Sequence, residues 1–390
     1  MANLEVTIAG VTFRNPLILA SATPGWDGKR SLMAWQGGAA AVVPKTFGPP
    51  ATWAQHPRCG RMKLIKPDGK KPIGMVNIEL YTTMPIEEWL EKELTVAASE
   101  GNKVIASVVA QPDPDDTARV AKLIEASGKA VMFEINVSCP MPFGADKVGF
   151  QMGNDPDSCF KQVAALKKAV TLPVGIKLTP TTHNMVPMAQ AAEKAGADFI
   201  VIGNSVRSFA GVDIKTGRPK LAAYGGYSGP AIKPITMRHV SEVARAVKTP
   251  IMAVGGVSSW EDVVEYIMIG ASAVQICTAV MWKGYDQFRI IAEDLAAYMD
   301  REGIASLEEI RGKALPYIRT IQEMAAAPSL TIAVDPEKCV NLKTGGCKLC
   351  EHACFYGALA FSPKLSLTPE TCDGCGLCVE MCPNGALSLQ

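Results

Sequence analysis

One pattern of hydrophobic and polar positions repeats along most of the chain: a short apolar run, a polar loop, then an amphipathic helix. The eight runs lie at residues 17–20, 40–43, 104–108, 131–135, 174–177, 199–202, 251–254 and 273–276. Helical patterns lie at residues 155–169, 183–195, 233–247 and 260–269. Strands that alternate with helices pair in parallel, and eight such units predict an α/β fold, the closed (β/α)8 TIM barrel. The alternative, an open doubly wound sheet, usually carries a G-x-G-x-x-G turn, which the sequence lacks.

Several segments stand outside this repeat. Residues 4–14 alternate around Ala9-Gly10 and predict a small hairpin. Residues 48–80 and 206–230 are long insertions, of the kind that cover or read the substrate at the C-terminal face of a barrel. Residues 141–153 are punctuated by glycine and follow Cys139 closely, which fits either a mobile lid or an ordinary surface loop.

Polar residues cluster where the predicted strands end. The run at residues 131–137 stops at Ser138, Cys139 and Pro140, and proline can continue neither a ladder nor a helix. The other strand ends supply Ser21, Lys45, Thr46, Asn136, Lys177, Thr179, Asn204, Ser205, Gly255, Gly256, Cys277 and Thr278, and the first insertion adds Asn77. Because chemistry in a barrel takes place at this end, these residues form the candidate active site. A lone buried cysteine is most often inert, so the interpretation of Cys139 as catalytic depends on its neighbours.

Two lysines and a pair of glycines indicate an electron-rich ligand that bears a phosphate. Lys45 and Lys177 are expected at the barrel mouth, where a buried ammonium needs an acceptor; the alternative is that each snorkels at the rim. Gly255-Gly256 after strand seven and Thr278 after strand eight fit the phosphate site of many barrels. Flavin mononucleotide (FMN) would satisfy all of these positions, so we expect FMN as a cofactor.

The twelve cysteines are distributed unevenly, and eight of them lie between Cys339 and Cys382. They form two runs with the spacing of bacterial two-cluster ferredoxins, the first with a lengthened opening spacer. Because the fourth cysteine of each run ligates the other cluster, we expect two [4Fe–4S] clusters with crossed ligand sets. One set is Cys339, Cys347, Cys350 and Cys382, and the other is Cys372, Cys375, Cys378 and Cys354. Structural zinc does not explain the Cys-Pro ending, and disulfides fit neither the spacing nor the expected compartment.

These patterns predict a barrel at residues 1–305, connecting helices and a linker at 306–332, and a ferredoxin-like domain at 333–390. The formal net charge of +1 and the lack of a basic stripe argue against a nucleic acid or a membrane as partner. The N-terminus lacks the pattern of a signal peptide, and no apolar run reaches about 18 residues. We therefore expect a cytoplasmic protein.

The motifs of both parts resemble the dihydroorotate/dihydropyrimidine dehydrogenase family. The likeness is greatest to the FMN and iron–sulfur half of the dihydropyrimidine dehydrogenases and to the matching bacterial iron–sulfur subunit, and it covers essentially all of the chain. The motifs that carry it are PKTFG (44–48), NIEL (77–80), NVSCP (136–140), GIKLTP (175–180), GNS (203–205), YGGYSGPAIKPI (224–235), VGG (254–256) and QICTAV (275–280).

The resemblance implies a flavin-dependent oxidoreductase acting on CH–CH bonds, which reversibly reduces the 5,6 double bond of a pyrimidine such as uracil or thymine. Electrons would pass through two [4Fe–4S] clusters to FMN, flavin N5 would give a hydride to C6, and Cys139 would protonate C5. The implied substrate contacts are Asn77, Asn136, Ser138, Asn204 and Ser205. The implied cofactor contacts are Ala20, Ser21, Lys45, Thr46, Lys177, Ser228, Gly229, Gly255, Gly256, Cys277 and Thr278.

The segment after Cys139 departs from the family pattern. Met141-Pro142-Phe143 replaces the His-Gly of dihydropyrimidine dehydrogenases and the Asn of dihydroorotate dehydrogenases, and Ser205 replaces the usual Thr. One alternative is therefore the same machinery acting on another C=C bond conjugated to a carbonyl, in a larger or more apolar cyclic substrate. Another is an electron-transfer module whose barrel only binds flavin, although the asparagines near Cys139 argue against it.

The expected electron donor is a separate protein, because the chain has no dinucleotide-binding turn of its own. An NAD(P)H-oxidising flavoprotein subunit or a reduced ferredoxin would serve. We also expect a homodimer or a hetero-oligomer. Cys59 and Cys159 lie outside all of these motifs and are interpreted as structural.

Overall fold

The computed structural model describes residues 2–47, 58–138, 149–361 and 364–390. The chain divides into two compact units, Met1–Tyr317 and Ile318–Gln390. The domain bounds at residues 305 and 333 stay a prediction. Each helix in the described part of the chain is too short or too polar to cross a membrane.

The described residues form twenty strands. They are β1 (Val6–Ile8), β2 (Val11–Phe13), β3 (Leu17–Leu19), β4 (Ala41–Val42), β5 (Met62–Ile65), β6 (Gly74–Asn77), β7 (Ile105–Val109), β8 (Met132–Asn136), β9 (Val174–Leu178), β10 (Phe199–Ile202), β11 (Val206–Ser208), β12 (Val212–Asp213), β13 (Arg218–Pro219), β14 (Gly225–Ser228), β15 (Ile251–Val254), β16 (Ala273–Ile276), β17 (Ile332–Val334), β18 (Leu359–Phe361), β19 (Leu365–Leu367) and β20 (Leu387–Leu389).

The α-helices follow the same order along the chain. They are α1 (Gly28–Gln36), α2 (Ile86–Glu88), α3 (Leu94–Ala97), α4 (Pro114–Ala126), α5 (Pro156–Ala169), α6 (Val186–Lys194), α7 (Lys233–Ala244), α8 (Trp260–Met268), α9 (Thr278–Lys283), α10 (Gln287–Glu302), α11 (Ile321–Ala325), α12 (Val340–Thr344), α13 (Leu349–Ala353) and α14 (Leu377–Glu380). A π-helical turn, Trp89–Glu93, joins α2 to α3.

The core of the first unit is an eight-stranded parallel sheet in the order β4-β3-β16-β15-β10-β9-β8-β7. Parallel bridges from Val42 to Val104 and from Phe47 to Val108 join its two ends, so the sheet closes on itself. The predicted (β/α)8 barrel is therefore confirmed. Its strands are buried on both faces by the interior and the surrounding helices, which explains why they read as continuous apolar runs rather than alternating ones.

Antiparallel elements surround the barrel. The predicted hairpin forms from β1 and β2, with Ala9 at φ 51° and Gly10 at φ 78°. Two positive φ values in a two-residue turn match the twist of the flanking strands. The two long insertions form one four-stranded sheet in the order β11-β14-β6-β5, in which β14 pairs with β6. The hydrophobic pattern predicts the two insertions but not that they pair with each other.

The second unit is built from short helices and two antiparallel strand pairs, β17 with β20 and β18 with β19. Its small core combines aliphatic side chains with two cysteines, and consists of Ile332, Cys350, Leu359, Cys378 and Leu387. A core of this size is marginal without additional cross-links or bound metal.

Candidate active site and cluster sites

One cavity of about 720 Å³ opens among the residues that follow the barrel strands. The predicted residues that line it are Ala20, Ser21, Lys45, Thr46, Asn77, Asn136, Lys177, Asn204, Ser205, Ser228, Gly229, Gly255, Gly256, Cys277 and Thr278. Ser138 is fully buried behind this wall. The predicted catalytic Cys139 and residues 141–148 of the predicted lid lie outside the described residues. The insertion sheet contributes Met75 and Asn77 to the cavity, so it forms part of the cover.

Three glycines shape one end of the cavity. Gly229, Gly255 and Gly256 have φ values of 98°, 146° and 78°, which side chains rarely adopt. A Cβ at Gly256 would lie 2.5 Å from the Cβ of Lys233. Close by, the Thr278 hydroxyl donates to Ser228 Oγ at 2.9 Å. The result is a concave surface of backbone groups and hydroxyls, the kind of surface that binds a phosphate.

The two predicted lysines are buried in the cavity wall and do not snorkel to the rim. Lys177 is 3% exposed, and its Nζ lies 3.2 Å from Gln275 Oε1 and 3.5 Å from Glu134 Oε1. Lys45 is 8% exposed, with its Nζ 5.8 Å from the centre of the Trp26 ring. An ammonium buried in this way favours an electron-rich ligand in the cavity.

A chain of hydrogen bonds fixes the amides on the other side of the cavity. Asn204 Nδ2 donates to Ser138 Oγ at 2.8 Å, and the Ser138 hydroxyl donates to Asn136 Oδ1 at 3.0 Å. Asn136 Nδ2 in turn donates to Thr46 Oγ1 at 3.1 Å. The Thr46 hydroxyl lies 2.9 Å from both Ser21 Oγ and Ser107 Oγ. These side chains are therefore held in fixed orientations before any ligand binds.

Glu134 lies at the end of this chain and was not predicted as a site residue. Its side chain is fully buried in the barrel, where Oε2 accepts from Gln275 Nε2 at 2.6 Å and Oε1 lies 3.5 Å from Ser107 Oγ. Ser107 and Gln275 were also missed. These residues could have been found because each is a polar residue in an otherwise apolar barrel strand. A polar residue in such a position needs a buried partner.

Cys277 and Glu79 add two further groups to the cavity wall. Desolvation raises the pKa of the Cys277 thiol to about 11, and the charges of Lys45 and Lys177 act in the opposite direction. Cys277 is thus a neutral thiol at neutral pH. Glu79 lies next to Asn77 in the wall, and its Oε1 is 3.0 Å from Arg61 Nε. Neither the place of Glu79 in the cavity wall nor its contact with Arg61 was predicted.

In the second unit, the eight predicted ligands line two separate hollows. One hollow is lined by Cys339, Cys347, Cys350 and Cys382. The other is lined by Cys354, Cys372, Cys375 and Cys378. Desolvation and the proximity of Cys339 and Cys347 raise the pKa of Cys350 to about 11. Crowded thiols of this kind favour a bound metal, which removes their protons.

Backbone groups already point at two of these sulfurs. The Ala358 N–H donates to Cys354 Sγ at 3.2 Å, and the Ala386 N–H donates to Cys382 Sγ at 3.3 Å. Each donor lies four residues after its cysteine, so the two runs use the same local geometry. Hydrogen bonds to ligand sulfur stabilise the thiolate and influence the reduction potential of a cluster.

Comparison with known proteins agrees with this arrangement. A family model described as 4Fe-4S binding domain matches residues 366–388. Together with the barrel and its dehydrogenase matches, this defines an oxidoreductase that carries a 4Fe-4S binding domain. A model described as dihydroorotate dehydrogenase matches residues 3–299, and the chain belongs to that family. The family predicted from the motifs is thereby confirmed.

Two relatives differ in how much of the chain they match. The catalytic subunit of dihydroorotate dehydrogenase B (NAD(+)) from Methanothermobacter thermautotrophicus is 38% identical over 312 residues, which cover 80% of this chain and 98% of the relative. The NAD-dependent dihydropyrimidine dehydrogenase subunit PreA of Escherichia coli K12 is 31% identical over 402 aligned positions, covering 99% of this chain and 95% of the relative.

A solved structure supports the fold alone. The crystal structure of dihydroorotate dehydrogenase from Eimeria tenella in complex with ferulenol matches with a TM-score of 0.67 at 18% identity. The match covers 81% of this chain and 89% of the other.

Proposed function

We propose that this oxidoreductase reversibly reduces the 5,6 double bond of a neutral pyrimidine base such as uracil or thymine. The observation that carries the proposal is the composition of the cavity wall, where Asn77, Asn136 and Asn204 lie with Ser205 and the carboxylate of Glu79. A pyrimidine base presents N–H and C=O groups in alternation and no charge. Amides offer both donors and acceptors, and a carboxylate accepts from N–H, so this wall suits such a ring.

Orotate, the pyrimidine that carries a carboxylate, fits this wall less well. The Asn that follows the Cys-Pro in dihydroorotate dehydrogenases is Met141 here, and the charged side chain beside Asn77 is an acid, Glu79, which pairs with Arg61. The extent of the matches also favours the neutral base. The dihydropyrimidine dehydrogenase subunit matches 99% of the chain, including the cysteine-rich tail, whereas the dihydroorotate dehydrogenase subunit matches 80% despite its higher identity.

The cofactor of this reaction would be FMN, and the residues present fit it. Lys45 and Lys177 would contact the flavin and its ribityl chain, and Gly255, Gly256 and Thr278 would hold the phosphate; the remaining cavity contacts are Ala20, Ser21, Thr46, Ser228, Gly229 and Cys277. When bound, FMN would supply the hydride for C6 of the base. The position of both lysines supports this assignment, because each places a buried cation in the cavity wall where an electron-rich ring or ribityl chain would lie.

Proton transfer is assigned to Cys139. A thiol that donates to C5 as the hydride arrives at C6 avoids a free carbanion, and its thiolate can recover the proton in the reverse direction. The preceding residue supports this role, since Ser138 is bonded to both Asn136 and Asn204 and so ties the end of β8 to the proposed substrate contacts.

The eight cysteines of the second unit would hold two [4Fe–4S] clusters, one in each hollow. Electrons from a partner would reach the barrel through them. Both relatives are named as subunits, which supports a separate electron donor. The donor would be an NAD(P)H-oxidising flavoprotein subunit or a reduced ferredoxin, and the complex a homodimer or hetero-oligomer in the cytoplasm.

An anaerobic assay of the reconstituted protein tests the proposal. A reduced one-electron donor would be mixed with uracil, thymine, orotate or a small cyclic enone, and loss of the substrate followed. We expect fast reduction of uracil or thymine, slow reduction of orotate, and loss of turnover in a Cys139→Ala variant. Cys159→Ala is the matched control, because Cys159 is buried away from the cavity. Activity on the enone alone would indicate that the substrate has another C=C bond conjugated to a carbonyl. A Cys139→Ala variant with unchanged turnover would favour an electron-transfer module.

A further inference from the structure

The buried carboxylate of Glu134 lies between two hydrogen-bonded arms that reach different parts of the cavity. The first arm runs through Gln275 to Lys177, both of which line the cavity. The second arm runs through Ser107 and Thr46 to Asn136. Glu134 itself does not line the cavity and is 0% exposed. A fully buried carboxylate is costly, so a residue of this kind requires an explanation.

A carboxylate fixes the direction of hydrogen bonds because it can only accept them. On the first arm, Gln275 must present its NH2 to Glu134, so its carbonyl oxygen is left to accept from Lys177. On the second arm, Ser107 donates to Glu134 and Ser21 donates to Pro44 O, so the Thr46 hydroxyl donates to one of these two serines. Its lone pairs accept from Asn136 Nδ2. The direction of the first arm follows from the carboxylate, and the second arm is anchored by it at Ser107.

The second arm extends further, to the proposed substrate contacts. With its NH2 on Thr46, Asn136 turns its oxygen to the N–H and hydroxyl of Ser138, each at 3.0 Å. The Ser138 oxygen then accepts from Asn204 Nδ2, and Asn204 Oδ1 accepts the Ser205 N–H at 2.7 Å. If the Asn136 amide were inverted, its NH2 group would face the Ser138 N–H, and two donors would oppose each other. The backbone N–H groups of Ser138 and Ser205 thus fix which way the two amides face, and Glu134, through Ser107 and Thr46, helps to fix where Asn136 lies.

We propose that Glu134 is a positioning residue that sets the charge around the flavin through Lys177 and Gln275, and supports the position of the substrate amide Asn136 through Ser107 and Thr46. The inference rests on the proposed function for the identity of the two ligands. It goes beyond that function because it assigns one buried carboxylate a role on both the flavin side and the substrate side of the cavity. Glu134→Gln keeps the shape of the side chain but can donate on one arm, so it loses both the charge and the fixed direction.

The test measures two quantities on the FMN-loaded protein: the midpoint potential of the flavin and the dissociation constant of uracil. In Glu134→Gln we expect a more positive potential, since reduction is easier when a nearby negative charge is removed. A tenfold change in the equilibrium constant, about 30 mV for two electrons, is the expected size. Uracil should bind about fivefold more weakly, the effect of one lost hydrogen bond.

Ser107→Ala is the matched control, because it cuts the second arm and leaves the carboxylate, Gln275 and Lys177 in place. It should weaken uracil binding without moving the potential. An unchanged potential in a folded, FMN-loaded Glu134→Gln variant would overturn the inference while the proposed function stood. If that variant does not fold, Gln275→Met and Ser107→Ala replace it. Gln275→Met must then shift the potential without changing uracil binding, and Ser107→Ala must weaken uracil binding without shifting the potential. Any other result overturns the inference.

The two hypotheses fail in different ways. A wild-type protein that binds FMN but no pyrimidine contradicts the proposed substrate, and the potential then decides on Glu134 by itself. A wild-type protein that binds no flavin contradicts the proposed function, and with it the role of Glu134 toward a flavin.

Discussion

Cys354 lines the same hollow as Cys372, while Cys350, which precedes it in its own run, lines the other hollow. The same crossing brings Cys382 to the hollow of Cys339. Each candidate cluster site therefore draws three cysteines from one run and the fourth from the other. Each site therefore depends on both runs for its ligands, although the two ligand sets share no cysteine.

Replacement of Cys354 by Ser should remove one cluster and leave the other. The cluster that loses its fourth ligand is the one in the hollow of Cys372, so about half of the iron should be lost. Iron analysis and electron paramagnetic resonance of the reduced protein would measure this. Combining Cys354→Ser with Cys372→Ser should cost no further iron, whereas combining it with Cys350→Ser should remove nearly all. Equal losses in the two double variants would contradict the crossed assignment. Cys59→Ser, at an exposed position, serves as the control.

Replacement of Gly256 by Ala should impair both stability and FMN retention. Gly256 has a φ of 78°, and a Cβ there would approach Lys233 Cβ at 2.5 Å, so backbone strain and a steric clash act together. We expect a loss of about 1–3 kcal/mol in the free energy of unfolding and a weaker FMN complex. Urea unfolding and flavin titration would measure the two effects. Gly303→Ala is matched in φ, at 70°, but has open space around it, so it should cost only the strain and leave FMN binding unchanged.

Most of the barrel could be predicted from the sequence because its strands and helices are encoded locally, by apolar runs and by amphipathic periodicity. The polar ends of those strands meet in one cavity for the same reason. The pairing of β6 with β14 could not be predicted, since the register between two distant insertions depends on contacts across the barrel. Ser107 and Gln275, the partners of Glu134, were missed because a polar residue in a buried strand indicates that a partner exists but does not identify it.

Replacement of Glu79 by Gln should reduce the discrimination between uracil and orotate. Glu79 carries the acidic charge beside Asn77 and pairs with Arg61, so its removal takes away the repulsion toward an orotate carboxylate and leaves the Arg61 charge unbalanced. Because Arg61 already balances part of this charge, we expect an effect of about 1 kcal/mol, or about a fivefold change in the ratio of binding constants. Titration of the flavin absorbance with each pyrimidine would measure it. A variant in which orotate binding does not improve relative to uracil would show that Glu79 does not contribute to specificity.

Removal of the Cys159 thiol should flatten the decline in stability at alkaline pH. Burial raises the pKa of Cys159 from 9.0 to about 12, with a smaller contribution from the charge of Asp155. The thiol is therefore still protonated in the folded state at a pH where it has ionised in the unfolded state. Because the unfolded state then binds fewer protons, the free energy of unfolding falls as the pH rises above 9, by about 1.4 kcal/mol per pH unit for this group.

The comparison of wild type with Cys159→Ala isolates this contribution. Other groups whose ionisation is disfavoured by burial, such as Cys277, are common to both proteins and cancel in the difference. The variant should lose some stability at every pH, because the side chain is fully buried and its Sγ contacts Met152 O at 3.6 Å. That loss should shrink steadily between pH 9 and 10.5 in anaerobic urea unfolding. A difference that stayed constant over this range would mean that the Cys159 thiol ionises equally well in the folded protein, and hence that water reaches it.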